Sequence, residues 1–210
     1  MYVPAHFAVS DPAELHRIIG EHPLGVLITP VEGSVDANHI PFALDASHGP
    51  HGRLLAHVAR ANPLWQQCRE GAQVLVVFRG DEHYISPNWY PSKHESHRQV
   101  PTWNYEAVHV HGRLAVREDE RFIRGVVARL TRTHEAGEPV PWKMGDSAAD
   151  YIDAMVRAIV GIEIAIERLE GKCKLGQNRE ARDVKGAVDV LRQRGRDAIA
   201  QAMAHPPGSR

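Results

Sequence analysis

The sequence predicts an α+β fold that is mainly β: a small antiparallel barrel with helical additions toward the C-terminal end. Three observations predict it. Short apolar or alternating segments recur between residues 24 and 117, separated by glycine- and proline-containing breaks. Apolar residues then follow helical spacing in several stretches between residues 122 and 194. No internal repeat or linker composition interrupts the chain, so one domain over residues 1–204 with a frayed tail at 205–210 is the simplest organisation.

The elements follow in order. Asp11 precedes Pro12 and stands three residues before Glu14, an N-terminal cap with proline at the first helical position; Leu15, Ile18 and Ile19 supply the apolar face and Gly20 the stop. Residues 24–29 and 35–44 read as strands around the turn Glu32-Gly33-Ser34. A Gly/His/Pro cluster at 47–52 precedes a strand at 53–59, and Asn62 caps a short helix beginning at Pro63. Residues 73–79 form a continuous apolar strand, which Gly80-Asp81-Glu82 is expected to turn into 83–86.

Residues 87–101 carry three prolines, two histidines and two aromatics, and read as a functional or interface loop. Residues 105–117 alternate, with Val108, Val110, Leu114 and Val116 on one face and His109, His111 and Arg113 on the other; Gly112 marks a bulge or a close backbone approach. Helices are expected around Phe122–Leu130 positions 122–130 and around 151–159. A strand with Ile162, Ile164 and Ile166 on one face comes next, then a loop at 170–179 and a helix at 183–194.

Composition excludes several classes. Hydrophobic residues make up 43% and charged residues 24%, the mixture of a globular chain and not of a disordered one. A net charge of −1 argues against a strongly basic body that grips nucleic acid. Cys68 and Cys173 are too few for a disulfide framework, and are expected as reduced thiols. The first residues lack a basic start and an apolar core, and no apolar run approaches the roughly 20 residues a membrane helix needs. A cytoplasmic protein with no membrane partner is the expectation.

Four segments carry candidate chemistry. In Asn38-His39-Ile40-Pro41-Phe42 the proline removes a ladder donor, so the sheet opens or ends there; free backbone groups at that edge suit a planar heterocycle, although a plain edge strand has the same signature. His57 and Arg60 stand at the end of a strand that feeds the helix capped by Asn62, and cations beside free N–H groups suit a phosphate, although Arg60 as a solvated surface residue has the same signature. Tyr84, Trp89, Tyr90, Trp103 and Tyr105 gather aromatic rings around one loop, for stacking on a ligand, on a partner subunit or on the barrel itself. Glu170-Gly171-Lys172-Cys173-Lys174-Leu175-Gly176-Gln177-Asn178 offers lysines, glycines and amides to an anionic or carbonyl-rich ligand, or forms a surface turn.

In order along the chain, MYVPAHF, HIPF, HVARANPLW, YISPNWYPSK, VPTWNY and EGKCKLGQN resemble the PaiB-like family of FMN-binding negative transcriptional regulators, from Met1 to Asn178. Two positions depart from the family pattern: Cys173 where tryptophan is common and Gly176 where serine is common. The resemblance implies an antiparallel FMN-binding split β-barrel that works as a homodimer, with FMN between the subunits. It places Asn38, His39, Ile40 and Pro41 beside the isoalloxazine, and His57, Arg60 and Asn62 near the ribityl phosphate. Trp89, Trp103 and Tyr105 of the other subunit would stack on or close the pocket, with Lys174, Gln177 and Asn178 nearby.

Other readings remain. Of the 14 histidines, His109 and His111 share a strand face and His94 and His97 lie three apart, but neither pair has a third ligand close in sequence, so no metal site is expected. A loop histidine as haem ligand is a further reading, without an attachment motif to support it. The resemblance implies a regulator, for which direct DNA binding is the weakest element, since the expected helices are not joined as a helix-turn-helix. A flavin-dependent oxidoreductase or flavin reductase is the alternative, in which FMN supplies the redox chemistry.

Overall fold

The computed structural model describes residues 1–207; of the expected tail, positions 208–210 lie outside the described residues. Its strands are β1 (Ala8–Val9), β2 (Leu24–Val31), β3 (Ser34–Pro41), β4 (Ala43–Asp45), β5 (Arg53–Ala59), β6 (Gln73–Ile85), β7 (Thr102–Arg117) and β8 (Ile159–Lys174). The helices are α1 (Pro12–Glu21), α2 (Leu64–Gln67), α3 (Pro91–Ser96), α4 (Glu120–His134), α5 (Ala149–Arg157), α6 (Ala181–Gln193) and α7 (Asp197–Ala204). Among the described residues the strands form one sheet in the order β3-β2-β6-β7-β8-β5-β4, with β1 on β8. The mainly-β, α+β class is as the sequence predicts.

The chain groups into two compact units. The first comprises Met1–His22, Arg79–His109 and Glu170–Arg210; the second comprises Pro23–Phe78 and Val110–Leu169.

In the second unit, β2 and β3 pair antiparallel around a turn at Gly33, whose φ of 70° is the left-handed conformation glycine adopts without strain. At Pro41 the chain changes partner: Ser34–Pro41 pairs with β2, whereas Ala43–Asp45 pairs with β5. Leu54, Ala56 and Val58 fill the core from one face of β5, while Leu55 joins Ala43, Val126 and Leu130 under α4. α5 packs Ile152 and Val156 against Ile123 of α4. Gly112 is a close approach: a Cβ there would collide with the Ala165 carbonyl.

In the first unit, Asp11 caps α1 by accepting from the Ala13 N–H at 3.1 Å, and Leu15, Ile18 and Ile19 are buried as expected. β1 pairs Ala8 with Lys172 and Val9 with Gly171. The loop expected at 87–101 contains a 3₁₀ turn at Pro87–Trp89 and then α3. Its anchor is Asp183, 1% exposed, which accepts from the Ser92 N–H at 3.0 Å and the Ser92 hydroxyl at 2.6 Å.

Three local expectations change. Gly80-Asp81-Glu82 is not a turn but the interior of β6; Gly80 stays bare because a Cβ would meet the Glu106 side chain at 2.9 Å. Residues 170–174 are strand and not loop, held by their pairing to β1. α7 follows α6 after a three-residue turn, 194–196, in which Gly195 has a φ of 67°. Among the described residues no helix is long and apolar enough to cross a membrane.

Candidate functional site

The sequence-derived candidates divide between the units. In the second unit, β3 is an edge strand with β2 as its partner, and Asn38, His39, Ile40 and Pro41 face Leu27, Val26, Gly25 and Leu24 in register. Ile40 is 4% exposed and turned into the core, so only its backbone is offered at the edge; His39 and Pro41 are exposed.

Asn38 and Asn62 come together. The Asn62 amide donates to Asn38 Oδ1 at 2.8 Å, while Asn62 Oδ1 accepts from the Leu64 N–H at 2.9 Å, the capping contact expected of it. α2 is a single turn, too short to add a useful dipole.

His57 Nδ1 is buried and, among the described residues, has no hydrogen-bond partner; burial holds the imidazolium below its usual range. A buried unpaired nitrogen costs on the order of 1–3 kcal/mol, so a polar ligand that reaches it recovers that amount.

Arg60 is exposed but engaged. Its Nε donates to the Arg157 carbonyl at 3.0 Å, one terminal nitrogen to the Ile159 carbonyl at 3.3 Å and the other to Glu118 at 2.8 Å, and the guanidinium lies 5.6 Å from the Trp65 ring centre. It lines a cleft with Glu118, Glu120, Ile123, Val156 and Arg157. Nothing local in the sequence marks Glu118 as the partner of Arg60, 58 positions away.

In the first unit, Trp103 is 55% exposed and meets Tyr84 edge-on at 6.2 Å, a partner with no marking in the sequence beyond its ring. Lys174 donates to the Thr102 hydroxyl and, at 2.7 Å, to the Trp103 carbonyl; burial, Lys172 and Arg179 hold its ammonium below the usual lysine range. A cation so placed gains from an anion. Gln177 is spent internally, accepting from the Leu175 N–H at 2.8 Å and donating to the Cys173 carbonyl at 2.7 Å. Trp89 lies under the Arg194 guanidinium at 4.9 Å, and Asn178 is exposed. The Tyr105 ring faces the Lys172 ammonium at 5.3 Å.

These groups fit FMN in kind. An unpaired buried imidazole nitrogen, a guanidinium on an open cleft and an edge backbone suit a phosphorylated heterocycle, and an exposed indole beside a lysine suits its ring and charge. A family described as "Putative FMN-binding domain" matches residues 1–168, ending just before the 170–178 segment. Protease synthase and sporulation protein PAI 2 of Bacillus subtilis is 30% identical over 192 residues, covering 91% of this chain and 89% of that protein. The FAD and heme binding protein of Mycobacterium smegmatis superposes with a TM-score of 0.60 at 16% identity, over 80% of this chain and 74% of that one. A flavocytochrome of Azotobacter vinelandii gives 0.61 at 16% identity, over 83% and 73%. At such identities the two structures speak for the fold alone, that of flavin-binding split barrels.

Proposed function

We propose, for a chain that belongs to the PaiB-like family of FMN-binding proteins and takes FMN as its cofactor, that it is a cytoplasmic homodimer which binds FMN and lowers transcription of its target genes. The observation that carries the binding half is His57 Nδ1, a buried nitrogen with no partner among the described residues, in the strand that leads to Arg60 and Asn62. In this reading Arg60 holds the phosphate, His57 and the Asn38–Asn62 amide pair bind the ribityl chain, and the β3 edge runs beside the ring. Trp103, Tyr105, Trp89, Lys174, Gln177 and Asn178 of the partner copy close the site. Bound FMN would supply redox chemistry; the residues of this chain bind it, orient it and exclude water.

For the regulatory half, the α6–turn–α7 hairpin is the support. Two helices joined by a three-residue turn with a glycine form the skeleton of many DNA-reading motifs, and Arg192, Arg194 and Arg196 are exposed along it. The exposed side of α7 offers Asp197, Ala198 and Gln201, a poor set for base edges, so contacts to phosphate are expected to dominate. Purified protein should be yellow and dimeric by sizing with light scattering. A colourless monomer that ignores added FMN ends the binding reading. Affinity for upstream DNA no better than for random DNA at near-physiological salt ends the direct-binding one.

A further inference from the structure

Three residues of the first unit that the FMN reading does not use converge from separate stretches: His22 at the end of α1, Asp81 within β6 and Glu106 within β7. One imidazole nitrogen and two carboxylate oxygens, one from each, all lie within 4.8 Å of one another. For any three points that close, some position is no more than about 2.8 Å from all of them (4.8 divided by √3). Zinc–nitrogen and zinc–oxygen bonds of roughly 2.0–2.2 Å are then reached by small side-chain adjustments.

Glu106 is built into this place and does not drift there. It is 2% exposed, and it lies against Gly80, where a Cβ would come within 3.0 Å of Oε2 and 3.5 Å of the His22 ring. Its Oε1 accepts from Arg17 at 3.3 Å and from the Cys173 thiol at 3.6 Å. Among the described residues no donor is hydrogen-bonded to Oε2. Arg17 is itself shared with Glu14 and Glu21. Three carboxylates, Glu14, Glu21 and Glu106, therefore share one guanidinium, and Asp81 adds a further negative charge beside Glu106.

We propose that His22, Asp81 and Glu106 bind a divalent transition-metal ion of the zinc, cobalt or manganese class. A neutral imidazole with two carboxylates favours these ions over calcium or magnesium, which prefer all-oxygen sites. Three protein ligands leave room for water in the remaining position. The ion would tie α1 to β6 and β7, and Arg17 would keep Glu14 and Glu21 as partners. The site is independent of FMN.

The test is calorimetric titration of metal-stripped full-length protein with zinc chloride and with cobalt chloride, reading cobalt absorption in the visible. About one equivalent should bind and raise the thermal midpoint. His22→Ala and Asp81→Asn should each weaken binding by about a hundredfold or more, since even groups behind the ligands are worth roughly 10- to 100-fold. His22 and Asp81 are only partly buried, so both variants should fold, which circular dichroism checks. Binding that is undetectable, that persists unchanged in both variants, or that is lost instead in His109→Gln/His111→Gln overturns the proposal.

Discussion

Removal of the Arg60 guanidinium tests the phosphate assignment most directly. Its partner in the protein is Glu118, at 2.8 Å, with the two side chains 40% and 56% exposed. An ion pair that open to water is worth about 0–1 kcal/mol, so a phosphate dianion can displace Glu118 at little cost. A charged hydrogen bond to phosphate is worth about 1.5–3 kcal/mol, and at about 1.4 kcal/mol per decade Arg60→Ala should weaken FMN binding by roughly 10- to 150-fold. Glu118→Gln works in the opposite direction. It frees the guanidinium and should tighten binding by no more than about fivefold, the equivalent of roughly 1 kcal/mol. In the double variant the benefit of Glu118→Gln should vanish, because the two residues act on one another. Quenching of FMN fluorescence on titration gives all four affinities. Arg60 also donates to two carbonyls, so thermal midpoints must accompany them. A folded Arg60→Ala protein with unchanged affinity would refute the reasoning, as would a Glu118→Gln effect that survives without Arg60.

Other outcomes follow from single contacts. Burial lowers the proton affinity of folded His57, so the stability owed to its neutral form is complete above about pH 6.5 and is lost as pH falls toward the depressed folded value. Denaturant midpoints should thus fall more between about pH 8 and pH 5.5 for the wild type than for His57→Gln, and equal falls would contradict this. Trp103→Ala should leave stability within about 0.5 kcal/mol, given its exposure, yet weaken FMN binding by the roughly 1 kcal/mol of a ring contact; chemical denaturation and the same fluorescence titration check both halves. Gly112→Ala drives a Cβ into the Ala165 carbonyl and should destabilise by about 1–3 kcal/mol; a neutral result in denaturant would show that β7 can move away there. Asp183→Ala removes the acceptor for the Ser92 N–H and the Ser92 hydroxyl in a buried site and should cost about 1–3 kcal/mol, with proteolysis near 91–96 as a second readout.

Where alternation or helical spacing was strong, the sequence sufficed to place elements. The Ile162, Ile164, Ile166 face and the α1 cap stand as expected, because burial of one face and one capping oxygen are local decisions. Residues 170–174 carry no alternation; they are strand because Ala8 and Val9, far away in sequence, supply the ladder. α7 escaped because Ile199 and Met203 make a single i, i+4 pair behind an Arg-Gly-Arg stop. At the candidate site, residue types were legible and partners were not. Nothing local in the sequence pairs Arg60 with Glu118, or turns the Gln177 amide onto its own turn.

The two ends of the chain explain each other's motifs. The Met1 amino group pairs with Glu170 at 2.9 Å, and Lys172 donates to the Tyr2 carbonyl at 3.1 Å while its ammonium lies over the Tyr2 and Tyr105 rings. At 9% exposure Lys172 is thus a structural cation, its charge offset by ring faces and a carbonyl. Lys174, two residues on along the same strand, has no ring of that kind among the described residues; its neighbours are a hydroxyl, a carbonyl and the repelling charges of Lys172 and Arg179. Of the pair it is therefore Lys174 whose environment improves most when an anion arrives. With Gln177 and Trp89 already engaged within the chain, Lys174, Trp103 and Asn178 are, in the FMN reading proposed above, the first-unit residues expected to contact the flavin most directly.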